Sequence, residues 1–370
     1  MPLKVGIVGM NSIAHSHAPH YVSDDLAELV AVCDVVKERA DAGVEKYGGK
    51  AYYSLDDMLA DEDLDLVDVS TGGYENGSWH FEPAMQAMEA GKHVIVEKPL
   101  SSDVNQGRQM VAKAQEQGVY LACNLNHYFT PVSERGRRYI DEGQMGELVY
   151  CLMKMGFHGG HIDDYKGPGS PKVKGWPYFH LKAFLSHPFS VMRYFCGDAT
   201  HVQAFLGAPG FRRAGGDLTL STASIHLRFA NNSVGYLLSQ RGDASYGLGG
   251  WWSCEVAGTR GTFVVENCIE KCLYWQAPRA GGVGKPEAEP TEVTETGTMD
   301  FGQTFKHRLH ALLEDISNGV PLEQLRGSGR DALAVLEYTF AVIESHENGG
   351  EMVRPHPLPP LTGDPRVIRG

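Results

Sequence analysis

The stretch from His93 to Leu100 joins a strand pattern to side chains that could do chemistry. β-Branched residues at 94–96 predict a buried strand, and Glu97, Lys98 and Pro99 follow it directly. Ligands bind at the carboxyl ends of strands in open parallel sheets, and a proline there fixes the backbone, with a cis peptide bond after Lys98 as one option. The Lys98 ammonium is therefore predicted to be held at a binding site, where it could stabilise negative charge developing on oxygen. The alternative is a surface lysine in a turn.

A second stretch has the pattern of a strand at 3–8, a glycine turn and a helix start. Counted from Gly9, it reads G-x-G-x-x-A, with Asn11 in place of the middle glycine and Ala14 at the last position. Gly9 would make the tight turn, and the helix start at Ser12 and Ile13 would offer N–H groups to a pyrophosphate. Asparagine tolerates left-handed backbone better than most residues, so the motif still predicts a dinucleotide site.

Asp34 ends the next apolar strand, at 29–33, 20 residues after Ala14. Dinucleotide-binding folds place at this position the carboxylate that accepts the ribose hydroxyls of the adenosine half. A carboxylate repels a 2′-phosphate, so Asp34 favours NAD over NADP, whereas the nearby Lys37 and Arg39 leave NADP open. The alternative role for Asp34 is to cap the helix that follows.

The elements around these motifs alternate between strands and helices. Further apolar runs at 51–53, 66–70 and 118–123 predict strands, which makes six in all. This alternation predicts an α/β fold, with a Rossmann dinucleotide-binding domain over residues 1–125. The remaining predicted cofactor contacts follow the fourth and fifth strands, and they are Thr71, Gly72, His80, Glu97 and Lys98.

Length and composition set the class of protein. A chain of 370 residues predicts two domains, and a net charge of -13 argues against nucleic acid as a partner. No apolar run reaches membrane-spanning length and no basic, apolar-cored leader is present, so we expect a soluble protein without a membrane partner. The seven scattered cysteines are typical of buried thiols in a reducing compartment, and we expect a cytoplasmic location. Cys268 and Cys272 lack a second pair at zinc-site spacing, so no metal is predicted there.

With these motifs in place, the chain resembles the Gfo/Idh/MocA family of oxidoreductases from residue 3 to about residue 350. The most specific element is residues 90–100, Ala-Gly-Lys-His-Val-Ile-Val-Glu-Lys-Pro-Leu, which is similar to the family signature. The resemblance implies that Lys98 contacts substrate. It also implies NAD-dependent oxidation of a secondary hydroxyl of a sugar, sugar derivative or cyclitol by hydride transfer.

Residues 126–350 are predicted to form an α+β substrate-binding domain. Apolar runs predict a large, mostly antiparallel open sheet, and they lie at 147–155, 201–206, 218–229, 233–239 and 252–257. In the family this sheet often mediates assembly, which implies a homodimer or homotetramer. Residues 277–297 are interpreted as an excursion without chemistry, and 351–370 as an extended tail.

The resemblance identifies His187, at the start of an apolar helix, as the second catalytic residue. Typical relatives show D-x-x-x-H here, with the histidine as proton acceptor and the aspartate as substrate ligand, but this chain has Ala183 in place of the aspartate. An imidazole titrates near ambient pH and could take the hydroxyl proton without that aspartate, while Lys98 stabilises the alkoxide. The alternative is a cap or core histidine.

Other polar side chains are candidate substrate ligands. His127 and Tyr128 lie in a segment that resembles the family's crossing segment, where relatives often carry arginine at the position of Tyr128. Beside Ala183 lie His180 and Lys182. The segment 158–165 adds His158, Asp163 and Asp164, and either aspartate could supply the missing carboxylate. A divalent-metal site that includes His161 and a solvated loop are the alternatives for this segment.

Two other classes of function fit the same residues. One is a redox-neutral glycosidase, lyase or epimerase that uses tightly bound NAD and a transient keto-sugar. The other is a dinucleotide-binding protein without enzymatic activity.

Overall fold

The computed structural model describes residues 1–73, 75, 77–157, 176–208, 210, 218–241, 251–277, 289–297 and 299–360. The predicted ligands His158, Asp163 and Asp164 lie outside these residues. The chain divides into two compact units. The first contains Met1–Leu125, Gly302–Leu336 and the described residues from Pro357 on, and the second contains the described residues of Asn126–Phe301 and Glu337–His356.

The strands and helices have the following bounds. The strands are β1 Leu3–Val8, β2 Ala27–Cys33, β3 Lys50–Tyr52, β4 Leu66–Val69, β5 His93–Val96, β6 Leu121–Cys123, β7 Leu148–Phe157, β8 Ala199–Gly207, β9 Thr222–Phe229, β10 Val234–Arg241, β11 Trp252–Gly258, β12 Gly261–Glu266, β13 Lys271–Gln276 and β14 Glu292–Glu295. The helices are α1 Ala14–Ser23, α2 Lys37–Tyr47, α3 Leu55–Asp61, α4 Phe81–Glu89, α5 Val104–Gln117, α6 Pro131–Asp141, α7 Phe179–Phe184, α8 Ser186–Cys196, α9 Gln303–Ser317 and α10 Gly329–Glu347.

The first unit is built on a six-stranded sheet in the order β3-β2-β1-β4-β5-β6, and every paired strand runs parallel. The strand order reverses between β1 and β4, and a crevice for ligands forms at such a switch point. This confirms the predicted Rossmann fold. The sixth strand is shorter than predicted, because α5 continues to Gln117 and ends at Gly118 with φ of 64°.

Helix α1 connects the glycine turn to the core of this unit. Its buried residues, Ala14, His17, Ala18 and Tyr21, follow the spacing of one helix face. That face packs with α9, which comes from the later part of the chain. His17 is therefore a polar side chain on an otherwise apolar helix face.

The second unit contains an eight-stranded sheet in the order β14-β13-β12-β11-β7-β10-β9-β8. Among the strand pairs that the structure describes in this sheet, only β7 and β10 run parallel, which confirms the predicted mostly antiparallel sheet. The interpretation of 277–297 as an excursion is wrong in part, because β14 pairs with β13. The four residues of β14, Glu-Val-Thr-Glu, are all at least partly exposed, and three of them are polar. The sequence therefore lacks the apolar pattern that predicts a strand.

The two faces of this sheet differ. Helices α6 and α8 pack against one face. On the other face, register pairs Leu152 with Tyr236 and Val234 with Tyr150, and Leu152 and Val234 are exposed to 44% and 54%. After α10, Val353 pairs with Val202 at the β8 edge of the sheet. An antiparallel sheet can leave one face open in this way.

The seven cysteines are all free and buried. Cys268 donates its thiol to the carbonyl oxygen of His127 at 3.3 Å, and Cys272 lies within β13. In the described part of the chain, none of the helices is both long and apolar enough to span a membrane. The cytoplasmic location stays a prediction.

Candidate active site

A cavity of about 440 Å³ opens at the switch point of the first unit. Five predicted cofactor contacts line it, and they are Gly9, Asn11, Asp34, Thr71 and Gly72. The other lining residues are Val8, Cys33, Val35, Arg39, Leu55, Trp79, Glu82, Pro83 and Gln86. Mostly apolar walls with a few convergent polar groups are typical of a ligand site.

The turn at Gly9 fits a dinucleotide. Gly9 has φ of 92°, and an added Cβ would lie 2.8 Å from Thr71 Cγ2 and 3.0 Å from the Thr71 backbone nitrogen. The turn therefore leaves only backbone against the cavity, as close approach of a pyrophosphate requires. Asn11 Oδ1 accepts the N–H of Ser12 at 2.9 Å, and Ile13, which precedes α1, makes no side-chain cap.

Asp34 is fixed at the cavity by backbone donors. Its Oδ2 accepts the N–H of Met10 and its Oδ1 accepts the N–H of Val36, both at 2.8 Å. Each carboxylate oxygen keeps a second acceptor site, which suits the two hydroxyls of a ribose. The alternative role as a helix cap is wrong, because α2 starts at Lys37 after Val36 and has no side-chain cap.

His80 holds two loops of this site together. Its Nδ1 lies 2.8 Å from the carbonyl oxygen of Pro99 and its Nε2 lies 2.8 Å from that of Thr71. Burial lowers the pKa of His80, and a neutral ring donates to only one of the two carbonyls. His80 thus lies between the Thr71 loop and the segment after Lys98 and donates a hydrogen bond to one of them, while its direct contact with a cofactor stays a prediction.

Lys98 follows the end of β5 and precedes Pro99 through a cis peptide bond, one of the options expected from the sequence. Its side chain is half-buried, and its backbone N–H donates to Glu97 Oε2 at 3.1 Å. Glu97 is only 5% exposed. A buried carboxylate next to a lysine favours the charged ammonium.

Sequence reasoning missed a buried polar cluster beside Glu97. His17 Nδ1 lies 2.8 Å from Asp68 Oδ2, and His17 Nε2 lies 3.1 Å from Glu97 Oε1. Tyr21 and Ser70 donate hydroxyls to Asp68, and Asn124 donates its amide to Glu97. Two signals could have revealed this cluster: a charged residue within the apolar strand β4, and a histidine on the apolar face of α1.

In the second unit, His127 and His187 are brought together. Their rings stack with centroids 3.7 Å apart at 12°. His127 lies in a single 3₁₀ turn, Asn126–Tyr128, and Trp251 and Phe301 meet its ring edge to face. His187 does not cap α8, because that helix has Leu185 as its N-cap.

The other predicted substrate ligands of this unit lie in different surroundings. Tyr128 stacks on Tyr194, with centroids 4.7 Å apart. The fully buried His180 has Nε2 3.1 Å from Ser239 Oγ. Lys182 places its ammonium 5.4 Å from the centroid of the Phe340 ring. His180 and Lys182, which lie nearest to Ala183 in the sequence, are engaged in these contacts. The roles of Tyr128, His180 and Lys182 in binding substrate stay predictions.

Ala183 itself is 1% exposed and packs with Phe179, Trp176 and Phe184. The position that carries the aspartate in typical relatives is thus an apolar contact here. Among the described residues, no group of three or more His, Cys, Asp and Glu side chains could hold a metal ion. The alternative metal site around His161 falls outside them.

Comparison with known protein families identifies both parts of the chain. Residues 3–125 match the model described as oxidoreductase family, NAD-binding Rossmann fold (GFO_IDH_MocA). Residues 134–264 match the GFO/IDH/MocA C-terminal domain.

Individual relatives agree with this assignment. The chain is 35% identical over 151 residues to D-glucoside 3-dehydrogenase of Escherichia coli, an alignment that covers 40% of this chain and 41% of that one. It is 23% identical to inositol 2-dehydrogenase of Rhizobium meliloti, over 93% of this chain and 97% of the relative. The alignments with the first four curated relatives, D-glucoside 3-dehydrogenase among them, span only 39% to 47% of their length.

Solved structures share the fold. A levoglucosan dehydrogenase in complex with NADH and levoglucosan superposes with a TM-score of 0.81 at 19% identity, covering 96% of this chain and all of that one.

Proposed function

Because the chain belongs to the Gfo/Idh/MocA family of oxidoreductases, we propose that it is an NAD-dependent dehydrogenase acting on a secondary hydroxyl of a sugar, sugar derivative or cyclitol. The observation that carries this proposal is the switch-point cavity, lined by Gly9, Asp34 and Thr71, in the same unit as Lys98. Relatives named for glucosides, levoglucosan and inositol support a polyhydroxylated ring as substrate.

The cofactor would be held by the residues that line the cavity. Asp34 would accept the ribose hydroxyls, and the Gly9 turn with the start of α1 would bind the pyrophosphate. The nicotinamide, when bound, supplies the hydride acceptor. NAD is favoured because the Asp34 carboxylate repels a 2′-phosphate, although Arg39 lines the same cavity and leaves NADP open.

The side chains of the protein would act on the reacting hydroxyl of the substrate, on its proton and on its oxygen. Lys98 carries a positive charge next to a buried carboxylate, so it can bind the hydroxyl oxygen and stabilise it as negative charge develops. His187 would accept the hydroxyl proton, since an imidazole can be neutral and basic near pH 7. With Ala183 in an apolar contact, hydroxyl recognition would depend on residues other than an aspartate at that position.

The first prediction tests this function with a panel of sugars, sugar acids and cyclitols. We expect NADH to accumulate, measured by absorbance, together with a keto product measured by mass spectrometry. Lys98→Ala and His187→Ala should each lower kcat at least about 100-fold, because each removes a group that acts in the transition state. Lys92→Ala and His310→Ala are matched controls, since their side chains pair with Asp63 and Asp24 and do not line the cavity.

Other outcomes would redirect the assignment. Product without accumulated NADH would contradict net oxidation and indicate a redox-neutral reaction. Binding of NADH without any product, and without an effect of Lys98→Ala, would contradict the enzymatic proposal.

We also propose that the open face of the eight-stranded sheet pairs with a second copy of the chain. Leu152, Val234 and Leu238 are exposed on that face beside Tyr236, and together they form an apolar patch. Exposed apolar patches of this kind mark protein interfaces. A second copy is the favoured occupant, because an identical face supplies a complementary apolar surface in an isologous dimer.

A further inference from the structure

The buried cluster of His17, Asp68 and Glu97 is not used in the mechanism above. The exposed fractions of these residues are 0%, 0% and 5%. They come from three elements, since His17 lies on α1, Asp68 on β4 and Glu97 directly after β5. The cluster therefore connects α1, the helix that follows the glycine turn, to the end of β5, two residues before Lys98.

Geometry determines where the protons of the cluster lie. Both ring nitrogens of His17 face carboxylate oxygens, at 2.8 Å from Asp68 and 3.1 Å from Glu97, and only an imidazolium can donate to both. A neutral ring could instead accept the amide of Asn124, whose nitrogen is 2.9 Å from Nε2. It would then direct a lone pair at the Glu97 oxygen, so the charged ring is favoured.

The remaining charged and titratable groups around the cluster agree with this assignment. Burial raises the pKa of Tyr21, so its hydroxyl stays protonated and donates to Asp68. Burial acts to raise the pKa of Glu97, but the hydrogen bond and the charge of His17 lower it, and the charge of Lys98 lowers it further. The buried Arg308 of α9 donates hydrogen bonds to the carbonyl oxygens of Cys123 and Gly327. The uncharged Phe305 ring lies next to the imidazole of His17, with the ring centroids 5.6 Å apart.

Glu97 passes the effect of His17 to Lys98. One carboxylate oxygen of Glu97 faces His17, and the other accepts the backbone N–H of Lys98. A change in the charge or rotamer of Glu97 would alter both the position of Lys98 and the field at its ammonium.

We propose that His17 is a positioning residue whose imidazolium bridges Asp68 and Glu97, keeps Glu97 ionised, and thereby holds Lys98 in place as a cation. The positioning of Lys98 is a structural claim, whereas its consequence for turnover rests on the proposed dehydrogenase function. The same bridge ties α1, and so the glycine turn, to the end of β5.

The first test measures His17 directly by NMR of histidine labelled with ¹³C, without substrate. The protein has 16 histidines, and the spectrum of His17→Gln identifies the His17 signal. We expect the ring signal of His17 to stay constant between about pH 6 and pH 8.5 at the chemical shift of a protonated ring, and a constant signal at the shift of a neutral ring would overturn the proposal. A titration with its midpoint near the ordinary value of about 6.5 would overturn the proposal. This result does not depend on whether a sugar substrate is found.

The second test uses the pH profile of kcat/KM with NAD and an active sugar. We expect His17→Gln to lower kcat about 10-fold or more with a smaller change in KM, and to move the alkaline limb to lower pH by about one unit, because Lys98 loses a neighbouring anion when Glu97 takes up a proton. Glu97→Gln should move the same limb in the same direction. The control is His310→Gln, since the His310 side chain is 46% exposed and pairs with Asp24.

If His17 had only a structural role, the pH profile of His17→Gln would differ from this expectation. If His17→Gln lowers only thermal stability and leaves the alkaline limb in place, the proposal is overturned. If His17→Gln does not fold, the double variant His17→Gln/Asp68→Asn removes one cation and one anion together, and the limb shift should persist in it because Glu97 still lacks the imidazolium.

Discussion

At the scale of single residues, the site depends on a few positions where chemistry leaves little choice. Gly9 combines a positive φ with a distance to Thr71 that excludes a side chain. Asp34 uses one acceptor site on each oxygen for the backbone, and each carboxylate oxygen has a second acceptor site. Motif spacing predicted the tight turn at Gly9, and it predicted ribose binding by Asp34, which stays a prediction.

The second prediction concerns Gly9→Ala. We expect NADH to bind at least about 10-fold more weakly, because alanine at this φ carries strain of roughly 1–3 kcal/mol and its Cβ displaces the Thr71 backbone from the cavity wall. Fluorescence titration of NADH measures the effect.

Gly207→Ala is the matched control for this prediction, since an added Cβ there meets nothing within 4 Å. Unchanged affinity in Gly9→Ala would contradict the placement of the pyrophosphate at this turn.

At the scale of elements, helix α1 has two roles in one stretch of ten residues. The helix follows the glycine turn. Nearer its carboxyl end, Tyr21 binds the Asp68 carboxylate of β4 together with His17. Burying a charged cluster between a helix and a sheet costs solvation, and the cost is offset only while the partners remain ionised. The stability contributed by this contact should therefore depend on pH.

The third prediction follows from the sign of the pKa shifts. Interaction with Asp68 and Glu97 outweighs burial and raises the pKa of His17 to about 10, so its stabilising effect is complete below about pH 6.5 and is lost as the pH rises towards 10. The pKa of Glu97 is lowered, so its contribution is present above its unfolded value and is lost as the pH falls through the folded value. The cluster should stabilise the fold most near pH 5–6.5, by a few kcal/mol.

Thermal unfolding of the wild type and of His17→Gln between pH 5 and pH 10 measures this effect. We expect the difference in Tm to be largest near pH 6 and to narrow towards pH 10. His15→Gln, on the same helix, should give a curve parallel to that of the wild type. A constant difference for His17→Gln at all pH values would show that His17 contributes packing and no charge.

At the scale of the whole molecule, the open face of the eight-stranded sheet is the surface that concerns assembly. The strand register sets Leu152 opposite Tyr236 on one side and Glu255 on the other, so an apolar centre is bordered by polar groups. This distribution resembles the core and rim of a protein interface.

The fourth prediction is that Leu152→Lys lowers the oligomeric state, measured by sedimentation or light scattering at micromolar concentration. The added ammonium would have to be desolvated at the apolar centre of the interface, and this cost would destabilise the interface. Val22→Lys is the control, because Val22 is exposed to 56%, close to the 44% of Leu152, but lies on α1 in the first unit. An unchanged mass for Leu152→Lys, or a monomeric wild type, would contradict pairing through this face.

The sequence by itself determined the features that depend on local pattern. The apolar runs and glycine turn predict the parallel sheet of the first unit, and the spacing of Gly9, Asp34 and Lys98 predicts which strand ends carry the site. The prediction of the parallel sheet is confirmed, because strand periodicity and turn chemistry are encoded over a few consecutive residues.

The tertiary structure alone decided which distant side chains meet. It brought His17 to Asp68 and Glu97, over separations of 51 and 80 residues, and stacked His127 on His187. It also added β14, whose short polar sequence pairs with β13 and binds Arg135 of α6 through Glu292. Such contacts depend on the packing of whole elements against each other, and a local sequence pattern can mark a buried polar residue but does not identify its partner.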